Sequence, residues 1–153
     1  QWDASANAGF SPEGVTTWIN VNPNYPEINA EAVLADPDSV FYHYQHLVNL
    51  RRGEMKDLMV YASFAPVDAL QVPHNEDEAV YAYTRTGGAD GSPANESLLV
   101  ISNFTADEQE RDFAVLNEAR EAGARVELVS SNYKDDAGST LRPYEAKVYH
   151  IVR

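Results

Sequence analysis

The sequence predicts a mainly β fold, an antiparallel β domain preceded by a loop and one long helix. Three observations predict it. From Gln1 to Pro26 there is no regular apolar period, and Pro12, Gly14, Pro23 and Pro26 act as breakers. From Pro37 to Arg52 apolar residues recur at spacings of three and four, the period of an amphipathic helix. After Gly53 the period falls to two, in short runs rich in Val, Ile, Tyr and Phe and separated by turn clusters.

Along the chain, Asn29 is placed to cap a short helical turn over Ala30–Ala35, because its side-chain oxygen can accept from a first-turn N–H. Asp36 offers a second cap, with Pro37 at the first helical position and Asp38 in the first turn. Val40, Phe41, Tyr44, Leu47, Val48 and Arg51 then form one stripe. Arg51 and Arg52 suit the negative helix end, and Gly53 suits a left-handed stop. The runs "DLMVYASFAPV", "AVYAYTRT", "SLLVISNFT", "ERDFAVL", "ARVELVSSN" and "EAKVYHIV" are expected as strands, with turns in "TGGADGSPAN" and "KDDAGST". "EAREAG" is expected as a helical turn or loop between strands.

A lone amphipathic helix has nothing to pack on, so the chain is expected to be the end of one domain and the whole of a second. The detached stripe is expected to fold back on the β domain or to self-associate with another copy, since water disfavours it by about 25 cal/mol for each Å².

Composition sets outer bounds. With 153 residues, 44 % hydrophobic and 23 % charged, the chain is ordinary globular protein. Eleven Lys and Arg against 24 Asp and Glu give a net charge of −13, a field that repels phosphate backbones and anionic lipid. Nucleic acid and membrane are therefore poor partners, whereas neutral sugars are not penalised. Without cysteine there is no disulfide, thiolate metal site or cysteine nucleophile.

Three stretches carry a family signature. "QWDASANAGFS", "TTWINVNPNYPEINAEAVLADPDSVFYHYQHLVNLRR" and the closing "LRPYEAKVYHI", with "AVYAYTRT", "LLVISNFT" and "SNY" between, occur in this order and spacing. They resemble the α-glucosidases of glycoside hydrolase family 13, especially the oligo-1,6-glucosidase subgroup. That resemblance implies a (β/α)8 barrel with a C-terminal β-sandwich. Residues 1–55 would then hold the last loop and last helix of the barrel, and 56–153 the antiparallel sandwich. It also implies a retaining hydrolase acting on isomalto-oligosaccharides in the bacterial cytoplasm, without a cofactor. The family's catalytic carboxylates lie in motifs absent from this chain, so no catalytic residue is assigned and the chain alone is expected to be inactive. Gln1 and Asp3 are the expected polar rim of the substrate loop, with Trp2 and Phe10 as apolar walls. The alternative is that Gln1 and Asp3 only hydrogen-bond within the loop.

Other features read as structural. His43 and His46 have the spacing of two metal ligands but lack the further ligands a zinc site needs. Asn95 and Asn103 match the glycosylation pattern by its short length. "HNEDEA" reads as a solvated turn, Trp18 as a packing residue, and His150 as part of an alternating strand with no nucleophile elbow nearby.

Two other functions stay open on the residues. One is a carbohydrate-binding or interaction module, which would need Tyr61, Phe64, Tyr81 and Tyr83 exposed, although inward packing is the default for such rings. The other keeps the fold with sucrose isomerase, dextran glucosidase or trehalose-6-phosphate hydrolase chemistry.

Overall fold

The structure, a computed structural model, describes residues 1–87 and 95–153; most of the turn cluster "TGGADGSPAN" lies outside the described residues. The chain divides into two compact units, Gln1–Asn49 and Leu50–Arg153.

In the first unit a 3₁₀ turn spans Ala6–Gly9, followed by α1 (Ala30–Ala35) and α2 (Val40–Arg52), which runs on past the division. Asn29 caps α1 as its position predicts: Oδ1 accepts from Ala32 N at 2.8 Å, while Nδ2 donates to Tyr25 O at 2.8 Å. That is why this residue is buried. Helix α2 starts at Val40, three residues later than Pro37. Asp36 closes a turn first, its Oδ1 accepting from Asp38 N and its carbonyl from Ser39 N, and the first helical bond runs from His43 N to Ser39 O.

One expectation for α2 is corrected: Gly53 follows the helix without left-handed backbone, which occurs instead at Gly9, Gly14, Gly123 and Gly138. The stripe lies exposed in the single chain, with Val40 69 % exposed, Tyr44 65 %, and Phe41 and Val48 exposed as well, which leaves self-association among the fates expected for it.

The second unit is built on a five-stranded antiparallel sheet in the order β1-β2-β3-β7-β5. Its strands are β1 (Ser63–Pro66), β2 (Val80–Thr86), β3 (Glu96–Asn103), β5 (Arg125–Ser131) and β7 (Ala146–Val152). A second, two-stranded sheet pairs β4 (Gln109–Glu110) with β6 (Thr140–Leu141). Period two sorts the side chains. Val80 and Ala82 of β2, Leu99 and Ile101 of β3, and Tyr149 and Ile151 of β7 face one core with Phe113, Leu116 and Leu141. The other face carries Leu98, covered by Leu58 and Ala62.

Two expected strands are helical in part. Of "DLMVYASFAPV" the residues Ser63–Pro66 form β1 as expected, but its first four residues belong to α3 (Lys56–Val60), where Leu58 and, just beyond it, Ala62, four apart, both reach Leu98. Within "ERDFAVL" only Glu110 belongs to a strand. Ala114–Glu121 form α4, so "EAREAG" is the end of a true helix. Phe113, Leu116 and Ala119 recur every three residues and are all buried, which is a helical spacing concealed in a run of apolar letters. Gly123, at φ +74°, ends that element.

The tyrosines also depart from the expected inward packing. Tyr61, Phe64 and Tyr81 are exposed and Tyr83 is half-buried, because the alternation that sends Val80 and Ala82 inward sends Tyr81 and Tyr83 out.

Candidate functional site

The opening loop is locally unusual before any chemistry is considered. Asn7, Ala8 and Gly9 all have left-handed backbone, at φ 56°, 53° and 72°. For Ala8 this conformation carries a steric cost, and such strain persists only when neighbours over-determine it. They do so here. Ala8 is fully buried and its carbonyl accepts from Trp2 N at 2.9 Å. Asn7 Nδ2 donates to Pro12 O at 3.0 Å and to Val15 O. The carbonyls of Gln1 and Trp2 accept from Ala30 N and Glu31 N, anchoring the loop to the start of α1.

Glycine at position 9 answers two demands. Its φ favours glycine, and a Cβ there would stand 2.9 Å from Asp3 Oδ2 and 3.1 Å from Trp2 Cβ. Asp3 is thereby pressed against the turn. Its Oδ1 accepts from the Ser5 hydroxyl at 2.5 Å and from Ser5 N at 2.8 Å. The hydroxyl first and the main-chain N–H second hold the Asp3 carboxyl below the usual carboxylate range. A carboxylate so held is an acceptor and not an acid.

Gln1 is also tied down: its Nε2 donates to Ile28 O at 2.5 Å and to Asn24 Oδ1 at 3.1 Å. Trp2 and Phe10 are exposed and meet edge to face, with ring centroids 6.4 Å apart. A cleft of about 770 Å³ opens beside them, lined by Gln1, Phe10, Ser11 and residues 15–22. Of the four expected site residues, Gln1 and Phe10 line this cleft, Trp2 touches Phe10, and Asp3 braces the turn beneath. Trp18 lines it too and is 95 % exposed, so the expected packing role is corrected. The indole thus lies outside any core of its own unit.

Sequence reasoning did not single out the left-handed run. Its signal was present, since Asn and Gly are the residues that tolerate positive φ, and "NAG" places them around one alanine.

The remaining motifs resolve structurally. Asn103 is buried: Nδ2 donates to Asp107 O and Arg142 O, and Oδ1 accepts from Thr105 N and Oγ1. Within "HNEDEA", Asp77 is not solvated. It receives both Nε and a terminal nitrogen of Arg111, at 2.7 and 3.1 Å, plus Ala79 N and Val80 N. Burial alone would raise Asp77, but Arg111 and these amides hold it below the usual range. "LRPYEAK" is a buried ionic clamp. Glu145 accepts from Arg142 N, Nε and a terminal nitrogen, at 2.8, 3.1 and 2.7 Å, and Arg142 stacks 4.0 Å over Tyr133. Lys147, fully buried, donates to Asp136 Oδ1, Gly138 O and Thr140 O. His150 sits in β7 with Nε2 2.9 Å from Glu96 Oε2. Among the described residues no group of three or more His, Asp or Glu is arranged to hold a metal ion. No helix among them is long and apolar enough to cross a membrane.

Comparison with known proteins follows this geometry. Residues 1–61 match the α-amylase catalytic domain. Over 99 % of its length the chain is 40 % identical to an oligo-1,6-glucosidase of Parageobacillus thermoglucosidasius, covering 24 % of that protein. It is 38 % identical over its full length to a trehalose-6-phosphate hydrolase of Bacillus subtilis, covering 25 % of it. Among solved structures, the trehalose-6-phosphate hydrolase of Bacillus licheniformis superposes with a TM-score of 0.79 at 37 % identity, across 100 % of this chain and 25 % of that one. The trehalulose synthase of Pseudomonas mesoacidophila gives 0.70 at 28 % identity, across 99 % and 24 %. The chain spans about a quarter of the length of the relatives it matches.

Proposed function

We propose, from the match of residues 1–61 to the α-amylase catalytic domain and the 40 % identity over nearly the whole chain to an oligo-1,6-glucosidase, that the chain belongs to the α-amylase family, glycoside hydrolase family 13, and is the C-terminal portion of an α-glucosidase of the oligo-1,6-glucosidase type. The longer protein hydrolyses terminal α-linked glucose from isomalto-oligosaccharides in the cytoplasm, with retention at the anomeric carbon. The observation that carries this reading is the match over nearly the whole chain to the oligo-1,6-glucosidase of Parageobacillus thermoglucosidasius. In the longer protein that contains this chain, residues 1–55 complete a (β/α)8 barrel, and residues 56–153 form the antiparallel β-sandwich that follows it.

The geometry of the opening loop supports a role for it at the sugar site. In barrel enzymes the site is built from loops at the C-terminal ends of the strands. Gln1, Asp3, Trp2 and Phe10 form one rim of the sugar site. Trp2 and Phe10 supply apolar surface for a sugar face, while Asp3 and Gln1 keep the rim rigid through Ser5, Asn24 and Ile28. The nucleophile and the acid/base, a pair of carboxylates in retaining enzymes, come from the rest of the longer protein.

A second reading, trehalose-6-phosphate hydrolysis, is favoured by the TM-score of 0.79 to an enzyme of that activity. Assaying the longer protein on isomaltose and on trehalose 6-phosphate separates the two. Faster hydrolysis of isomaltose is expected, and hydrolysis of trehalose 6-phosphate alone would replace the first reading with the second.

A further inference from the structure

Asn7 joins the left-handed turn of the opening loop to the cleft beside it. Its φ of 56° is a backbone that asparagine adopts more readily than most residues with a side chain. In that conformation its carbonyl accepts from Phe10 N at 3.0 Å, while Nδ2 donates to Pro12 O at 3.0 Å and to Val15 O at 3.3 Å. The two N–H bonds of the amide suffice for both carbonyls. Pro12 and Val15 are themselves the ends of a turn, closed by Val15 N on Pro12 O at 3.3 Å, with Gly14 supplying φ +82° at its third position.

Phe10 and Val15 both line the cleft of about 770 Å³. Asn7 therefore fixes two separate parts of the lining, Phe10 through its main chain and the segment that begins at Val15 through its amide. At the far end of that segment the turn that Asn22 opens, accepting from Asn24 N and Tyr25 N, is the matching anchor. Residues 16–21, with Trp18 among them, run between these two anchors and line the cleft throughout. Backbone strain is retained where neighbouring contacts over-determine it, and it clusters where ligands are clamped. Two consecutive residues with side chains, Asn7 and Ala8, are held in this way next to the cleft.

We propose that Asn7 is a positioning residue for the sugar site: its amide sets where the wall from Val15 to Asn22 stands relative to Phe10, and so how closely the cleft fits a sugar. Asn7 acts through Phe10 and Val15 and not by touching the substrate. The choice of sugar as the occupant rests on the proposed glycosidase function. Since the reacting carboxylates come from the rest of the longer protein, a displaced wall weakens substrate and transition state alike, which raises KM and leaves kcat.

The test is Asn7→Gly in the longer protein, because glycine keeps the left-handed backbone without strain and removes only the amide. With isomaltose, KM is expected to rise about 3- to 10-fold while kcat stays within about twofold. If circular dichroism shows Asn7→Gly misfolded, Asn7→Asp serves in its place with the same expected rise. It keeps the shape and the tolerance of positive φ but sets a carboxylate against two carbonyl oxygens. An unchanged KM in a folded, active variant would overturn the proposal, and so would a fall in kcat at constant KM.

A second readout does not depend on activity. In the 153-residue chain, Asn7→Gly is expected to shift the amide resonances of Val15 to Ile19 while those of α1 stay in place. Resonances of Val15 to Ile19 that do not move would overturn the proposal whatever the kinetics. Failure of the longer protein with Asn7 intact to cleave isomaltose would remove the glycosidase reading, and shifted resonances would then leave the hold of Asn7 on this wall standing without its sugar.

Discussion

At the scale of single residues, the opening loop depends on Gly9 more than on the residues expected to meet sugar. Gly9→Ala would add a Cβ 2.9 Å from Asp3 Oδ2 in a left-handed position, costing about 1–2 kcal/mol in backbone strain before the contact is relieved. We expect amide resonances of residues 2–10 to shift or broaden in this variant while those of β3 and β7 stay in place. Ser5→Ala removes the hydroxyl that most lowers the Asp3 carboxyl, so Asp3 is expected to titrate closer to the ordinary carboxylate value, as followed by NMR. An unchanged Asp3 titration would show that Ser5 does not hold it. The sequence left two roles open for Gln1 and Asp3, touching sugar or holding the loop. The choice depends on where Ser5, Asn24 and Ile28 come to lie, and no spacing in the sequence encodes that.

At the scale of elements, caps and alternating strands were legible and short helices were not. Asn29 was readable because capping is local chemistry. Asn29→Ala is expected to cost about 1 kcal/mol, measured as a lower melting temperature of the first unit. Strands β2 and β7 were readable because one face is buried and the alternation is clean, as in Val80, Ala82 and Thr84 against Tyr81 and Tyr83, and β3 because it is a short apolar run buried on both faces. Helices α3 and α4 were misread because Leu58, Ala62, Phe113 and Leu116 sit in runs of mixed apolar letters, where three-residue and two-residue periods overlap. Tertiary packing against Leu98 and Ile101 decided the matter, and a single sequence does not display those partners. The "LRPYEAK" clamp was visible as a family marker, but its reason was not. Its residues form a buried ion network whose members are scattered between Tyr133 and Lys147.

At the scale of the whole molecule, carboxylates held in ion pairs and hydrogen bonds set the response to acid. Burial would raise Asp77, Asp136 and Glu145, but Arg111, Tyr149 with Lys147, and Arg142 respectively hold all three below their ordinary values. Folded-state values below the unfolded ones mean stability that is full above the ordinary carboxylate range and lost as pH falls through the folded values. The second unit is therefore expected to keep its melting temperature from pH 7 to about pH 5 and to lose it steeply below about pH 4. A melting temperature that stays constant down to pH 2 would contradict this. Replacing Asp77 by Ala leaves Arg111 without its carboxylate partner, at a cost of about 3 kcal/mol in urea unfolding at pH 7.

The exposed α2 stripe makes a separate molecular prediction. Sedimentation is expected to show concentration-dependent self-association of the 153-residue chain, lost in Tyr44→Glu. Strictly monomeric behaviour of the unmodified chain would end that idea.

The central claim is a division of labour, with this chain supplying one rim of a sugar site and the rest of a longer enzyme supplying the carboxylates. Glucose release from isomaltose, measured side by side for the purified 153-residue chain and for the longer protein containing it, tests this most directly. The account predicts release by the longer protein and none by the chain. Glucose released by the chain alone would contradict it.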